Sequence, residues 1–168
     1  MQALRWHGPK DVRLDDVPAP TPAPDEVLVE VTACGLCGSD LHEYLHGPVY
    51  IPKRPHPLTG VTPPVTLGHE FSGRVVEVGA GVDRLRPGDR VAVNPCLFCG
   101  ECAWCRRGEG NYCAKLGTLG LSRDGGFAPL VAAPAYGCYV LPPEVDDEQG
   151  ATVEPLAVAV HACARARL

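Results

Sequence analysis

Glycine and proline interrupt this chain so often that it cannot be built mainly from helices. There are 19 glycines and 18 prolines in 168 residues. Proline has no N–H to donate and a fixed φ, so it is confined to turns, loops, strand edges and first helical turns. Glycine inside a helix costs about 0.5–1 kcal/mol relative to alanine. What remains is a chain of turns and short strands. Its apolar content of 45% is enough to bury them around a core. Aromatics are only 6%, so Val, Leu and Ala must fill that core. We expect a mainly β domain with short helices.

The pattern along the chain agrees. Ala3–His7 and Val12–Val17 are predicted strands around the turn Gly8-Pro9-Lys10-Asp11. Four prolines within 18–24 require an extended loop. Glu26–Ala33 alternates and is β-branched, so it is a predicted strand. A glycine turn follows over 34–40, then a short helix from about Ser39 to His46, capped by Ser39 or Asp40. Six prolines within 47–65 predict a long surface loop. Strands are predicted at Phe71–Val78, Asp89–Val93, Phe127–Ala133 and Tyr136–Leu141. Residues 146–168 contain only one glycine and are alanine-rich, which predicts a closing helix, with Pro155 starting a turn or kinking it.

Charge and thiols narrow the function. Fifteen Lys and Arg against 20 Asp and Glu give a net charge of −5, which argues against nucleic acid as a partner. The start has no basic segment leading into an apolar run, and the longest apolar stretch is broken by Glu154 and His161. We expect no membrane partner and a cytoplasmic location. Nine cysteines in such a chain point to metal ligands rather than disulfides.

Four of them read C-x2-C-x2-C-x7-C: Cys99, Cys102, Cys105 and Cys113. Two intervening residues let paired thiolates face one tetrahedral zinc, and four protein ligands leave no open position. The expectation is a structural zinc in a lobe over 95–115. An iron–sulfur cluster competes for three closely spaced cysteines, and buried reduced thiols are the plainer alternative. Cys96 is expected to be a bystander. A second set is scattered. Cys37 sits in a glycine turn at a helix start, His69 precedes Glu70 at a strand start, and Glu154 is a lone carboxylate in an apolar run. Cys, His and Glu with one open position is how catalytic zinc is held. Each also has a duller reading, as core thiol, strand-end surface residue and helix cap, and spacing does not bring them together.

Six motifs occur in order: Cys34-Gly35-Leu36-Cys37-Gly38-Ser39-Asp40-Leu41-His42, Gly68-His69-Glu70-Phe71-Ser72-Gly73, Val78-Gly79-Ala80-Gly81-Val82, Arg86-Pro87-Gly88-Asp89-Arg90-Val91, the four-cysteine lobe, and Glu154-Pro155-Leu156-Ala157. Together they resemble the amino-terminal, GroES-like catalytic domain of the medium-chain zinc-dependent alcohol dehydrogenases, over essentially the whole chain. The stretch from His42 to Gly60 is similar to the 2,3-butanediol dehydrogenases in particular.

The resemblance implies a GroES-like, partly open β-barrel with a zinc-binding lobe and a C-terminal helix. By position it makes Cys37, His69 and Glu154 the catalytic zinc ligands, with Glu70 a carboxylate close to that metal and sometimes an alternate ligand. Asp40 would orient the ligating histidine, Ser39 and His42 would form the proton relay, and Cys99, Cys102, Cys105 and Cys113 would hold the structural zinc. Without the resemblance, Ser39 reads as an N-cap and His42 as a solvent-facing residue.

The reaction implied is NAD-linked oxidation of a secondary alcohol or vicinal diol, of the 2,3-butanediol-to-acetoin type, with two zinc ions per chain and an oligomer possible in the full-length enzyme. No G-x-G-x-x-G fingerprint occurs, since Gly79-Ala80-Gly81 leads into Pro87-Gly88 rather than a helix. The sequence therefore offers no cofactor-binding residues. The expectation is a catalytic-domain fragment, residues 1–150, with 151–168 starting the connection to an absent Rossmann domain, and no turnover alone. The alternatives are a stand-alone zinc-binding module, a sorbitol- or threonine-dehydrogenase-like relative, and a thiol protein for redox or metal storage.

Overall fold

Residues 1–167 are described by a computed structural model, and among them the chain forms ten strands and three helices. In order these are β1 (Gln2–Gly8), β2 (Asp11–Asp16), β3 (Glu26–Gly35), α1 (Gly38–His46), β4 (Val65–Thr66), β5 (Glu70–Val78), β6 (Arg90–Val93), β7 (Cys96–Leu97), β8 (Gly117–Thr118), β9 (Leu130–Pro134), β10 (Cys138–Val140), α2 (Asp147–Ala151) and α3 (Val153–Ala166). The predicted strands are all present, with ends moved by a few residues. The proline-rich segments 18–24 and 47–64 form no strand or helix.

Every strand pair is antiparallel. Five strands form the main sheet in the order β10-β6-β5-β3-β9; β2-β1-β4 and β7-β8 form two smaller sheets. The main sheet does not close on itself, so the barrel is partly open, as expected.

Alternation builds the core. Val27 and Val29 of β3, Phe71 and Val75 of β5, Val91 and Val93 of β6, and Val131 and Ala133 of β9 point into one buried cluster. Fully burying such a side chain contributes about 1.5–3 kcal/mol. A second cluster gathers Trp6, Ile51, Val65, Leu67 and Leu121 under the proline-rich loop. Trp6 also donates its indole N–H to the Glu43 carbonyl at 2.8 Å, tying β1 to α1.

Two expectations about helices change. The N-cap of α1 is Cys37, not Ser39 or Asp40. The helix begins at Gly38, which makes Asp40 the third residue, and its carboxylate reaches back to accept the Cys37 N–H at 3.0 Å. The closing helix is two helices. A reciprocal pair, Asp146 and Gln149, caps α2. The first helix then stops at Thr152, whose hydroxyl donates to the Gln149 carbonyl at 2.7 Å. Pro155 falls in the first turn of α3, where its missing N–H costs nothing, so it starts that helix without kinking it. The expected last helical residue, Leu168, lies outside the described residues. No described helix is long and apolar enough to cross a membrane.

Candidate metal centres

The four-cysteine lobe is a locally built site. One sulfur from each of Cys99, Cys102, Cys105 and Cys113 lies within 4.8 Å of the other three. The Cys102 and Cys105 sulfurs are 3.5 Å apart, and those of Cys99 and Cys105 are 3.8 Å apart. Two single-turn 3-10 helices, Cys105–Arg107 and Gly110–Tyr112, fold the intervening chain back. Left-handed glycines at Gly100 (φ 72°) and Gly108 (φ 77°) make the two reversals.

Backbone N–H groups are aimed at the sulfurs. Cys113 Sγ accepts from Cys99 at 3.4 Å and Lys115 at 3.3 Å, and Cys102 Sγ accepts from Cys105 at 3.5 Å. Hydrogen bonds from the Cys105 and Ala114 backbone hold Cys102 down at about 6. Burial and the neighbouring sulfurs push Cys105 up to about 12. Against its burial, the Cys99 and Lys115 N–H groups lower Cys113 as well, and collecting all four as thiolates requires a cation among them. That donor set and its geometry fit a tetrahedral, thiolate-bound zinc.

The second site is assembled from distant segments. Cys37 is fixed by capping α1, while His69 and Glu70 stand where β5 begins beside the end of β3. One ligand atom from each of Cys37, His69 and Glu70 lies within 4.8 Å of the other two. Gly35 makes room: a Cβ there would stand 2.7 Å from the Glu70 carboxylate. His69 is buried, with Nε2 facing the Ser39 hydroxyl at 3.1 Å and Nδ1 facing Asp40 Oδ1 at 3.6 Å.

Both His69 Nδ1 and Asp40 Oδ1 are buried without a hydrogen-bond partner at this geometry. Burial raises the Asp40 carboxyl above its ordinary value, against the pull of His69 and of the Cys37 and Gly68 N–H groups. An imidazole and a thiol converging with a carboxylate, over a buried polar pair left unsatisfied, fit a bound metal cation.

Glu154 does not join this cluster, in which every ligand atom lies within 4.8 Å of the others, among the described residues. It is half-buried in the first turn of α3, and burial raises its carboxyl, with His69 lowering and Glu70 raising it further. The carboxylate the structure brings to Cys37 and His69 is Glu70, and Glu154 stands on the flank. His42 is exposed on α1, and no hydrogen bond joins it to Ser39 among the described residues. Cys96 belongs to neither cluster. It is half-buried on β7, and burial together with the charge of Glu154 raises its thiol.

One residue escaped the sequence reading. Glu43 is fully buried, and its carboxylate accepts the N–H groups of Val49, Tyr50 and Ile51. It pins the start of the proline-rich loop to α1. Its position three residues after Asp40, on the same helix face, is the only sign of it in the sequence.

Residues 23–143 match the family profile of the alcohol dehydrogenase GroES-like domain. The chain is 48% identical over 170 residues to the (R,R)-butanediol dehydrogenase of Bacillus subtilis (strain 168), covering 100% of this chain and 48% of that protein. The crystal structure of 2R,3R-butanediol dehydrogenase from Bacillus subtilis superposes with a TM-score of 0.88 at 47% identity, covering 96% of this chain and 46% of that one. A dehydrogenase from Sinorhizobium meliloti 1021, assigned as zinc-binding and bound to NADP, gives a TM-score of 0.82 at 42% identity, over 95% of this chain and 44% of the other. The chain thus spans about half the length of the relatives it matches.

Proposed function

The chain belongs to the alcohol dehydrogenase family through its GroES-like domain, and on that premise we propose that it is the metal- and substrate-binding part of a zinc-dependent, NAD-linked dehydrogenase of secondary alcohols or vicinal diols. The substrate class is that of 2,3-butanediol going to acetoin. The observation that carries this reading is the convergence of Cys37, His69 and Glu70 within 4.8 Å beside the Ser39 hydroxyl.

Cys37 and His69, with a carboxylate from Glu70 or Glu154, would hold the catalytic zinc. Zinc held there supplies a Lewis acid that lowers the pKa of an alcohol hydroxyl, as it does for water. The remaining work belongs to the chain. Asp40 Oδ1 stands 3.6 Å from Nδ1 of His69; closing that gap to a hydrogen bond would hold the ring proton on Nδ1 and leave the Nε2 lone pair for the metal. Ser39 stands at that same Nε2, so its hydroxyl is the side-chain group placed to take a proton from an alcohol bound at the centre. His42, one turn later on α1, exposed and not hydrogen-bonded to Ser39, would be the outlet of that relay to water.

Oxidation of the alcohol carbon also needs a hydride acceptor. Residues 1–168 contain no dinucleotide fingerprint, so we assign NAD to a Rossmann domain of the kind that the family adds. Residues 1–150 would be the catalytic domain and 151–168 the start of the connection to it. The four-cysteine lobe would carry the second, structural zinc.

The test is binding rather than turnover. The chain is loaded with Co²⁺ and titrated with 2,3-butanediol while its visible spectrum is followed, with sorbitol titrated in parallel. A spectral change with the diol that disappears in Cys37→Ala is expected. No change on adding either alcohol would refute the assigned substrate class.

A further inference from the structure

The two terminal helices are held very differently. Gly150 and Ala151 of α2 are buried, whereas α3 buries none of its residues. Three features seat α2 on the main sheet. The Ser72 hydroxyl donates to the Asp147 carbonyl at 2.5 Å. Arg90 donates from Nε to Asp147 Oδ1 at 2.9 Å, its Nη2 lies 2.8 Å from the same oxygen, and it also reaches the Val145 carbonyl. A Cβ on Gly150 would lie 2.6 Å from Leu141 Cδ1 and 2.8 Å from Ser72 Cβ, so the helix sits as close as glycine alone allows.

Ser72 is on β5, the strand that starts with Glu70 directly after His69. One strand therefore presents two candidate ligands and also grips α2. Only Thr152 separates α2 from α3, and Glu154 lies in the first turn beyond it. α3 also rests on β5 and β6, but none of its residues is fully buried, so the approach of Glu154 depends on how α2 is seated.

We propose that Ser72, Arg90 and Asp147 are positioning residues, a strut from strand β5 and β6 to α2 that fixes the distance of Glu154 from the Cys37–His69–Glu70 centre. The proposal rests on the metal-site reading above. None of the three touches the metal or substrate; they act through the backbone of 147–154. Partners bonded directly to metal ligands are typically worth 10- to 100-fold in affinity, and a support that acts through the backbone belongs at the lower end of that range.

The test uses the zinc-loaded chain and the rate of metal release to a colorimetric chelator, with the slow release from the four-cysteine lobe as internal control. Asp147→Ala and Ser72→Ala should each speed the fast phase about tenfold and leave the slow phase unchanged. Glu154→Gln should do the same, and Asp147→Ala combined with Glu154→Gln should be no faster than either alone, because both act through one carboxylate. An unchanged fast phase, multiplicative effects in the double variant, or a slow phase that speeds up equally would each overturn the strut. Should Asp147→Ala fail to fold, Arg90→Lys keeps the charge and loses the two-nitrogen contact; a smaller acceleration is expected, and none would overturn the proposal. Cys37→Ala separates the two levels: if the fast phase persists in it, the metal-site reading fails, whatever the strut variants do.

Discussion

The two candidate metal centres teach opposite lessons about how a chain makes a site. The four-cysteine lobe takes all its ligands from 15 consecutive residues, Cys99 to Cys113, and its turns are made by glycines within that stretch. The second centre takes Cys37 from a helix cap and His69 and Glu70 from a strand start, with Glu154 on the flank from more than 80 residues further along. On the proposed reading the first would need its metal to hold its shape. The second is positioned by the sheet and, on the same reading, would use its metal for chemistry.

The largest effect should come from breaking the local site. Four thiolates repel without a cation, so metal binding is folding energy for the lobe. Cys102→Ser should lower zinc content by about one per chain and open the exposed Arg106 and Arg107 to trypsin. Unchanged zinc stoichiometry by elemental analysis would contradict the assignment.

Next in size is the order of metal loss. A closed set of four thiolates should release zinc more slowly than a centre whose carboxylate partner varies. Mild chelation is expected to empty the Cys37 centre before the lobe, with rates separated at least tenfold, and the early phase should vanish in Cys37→Ala. A single release rate for both metals would remove the distinction between the sites.

A long-range ion pair gives a smaller, metal-independent comparison. Arg123 donates to Glu26 from both terminal nitrogens, one at 3.0 Å, across 97 positions of sequence. Burial raises the Glu26 carboxyl, but the Arg123 hydrogen bonds, the Ala23 N–H and the Arg123 charge outweigh it and leave it below its ordinary value of 4.5. Its stabilisation is therefore complete above that ordinary value and is lost as pH falls through the lower folded one. Glu26→Gln should cost about 1–2 kcal/mol near neutral pH and much less in strong acid, measured by urea unfolding across pH. An equal cost at every pH would show that the charge is not involved.

The smallest effect tests whether a thiol near both sites belongs to either. Cys96 lies on β7 just before the lobe and feels Glu154. Cys96→Ala should leave both release phases and the zinc content as they are, with a stability change under about 1 kcal/mol.

These contrasts explain what could be read in advance. The strands were legible because alternation and Gly–Pro punctuation are local signals, and β3 and β5 fall within a few residues of where Glu26–Ala33 and Phe71–Val78 place them. The lobe was legible because ligand spacing within one turn is itself geometry. The cap of α1 was misread, because a cysteine is not among the usual capping residues and Asp40 caps from inside the helix. The division of the closing helix was signalled only by Pro155, which cannot donate an N–H to the Ala151 carbonyl four residues back; the sequence leaves open whether that proline starts a turn or kinks one helix, and the chain breaks at Thr152.

The sequence by itself determined the β class, the thiolate lobe and, through motif order, the family. Tertiary structure alone decided which carboxylate stands at Cys37 and His69. Glu70 is there because antiparallel pairing sets Gly35 opposite it and leaves room for its side chain. Glu154 does not join that cluster; it lies in the first turn of α3, just past the break at Thr152. Residues brought together by strand register and helix docking have no fixed spacing in sequence, so only the packed fold sets the distances between them.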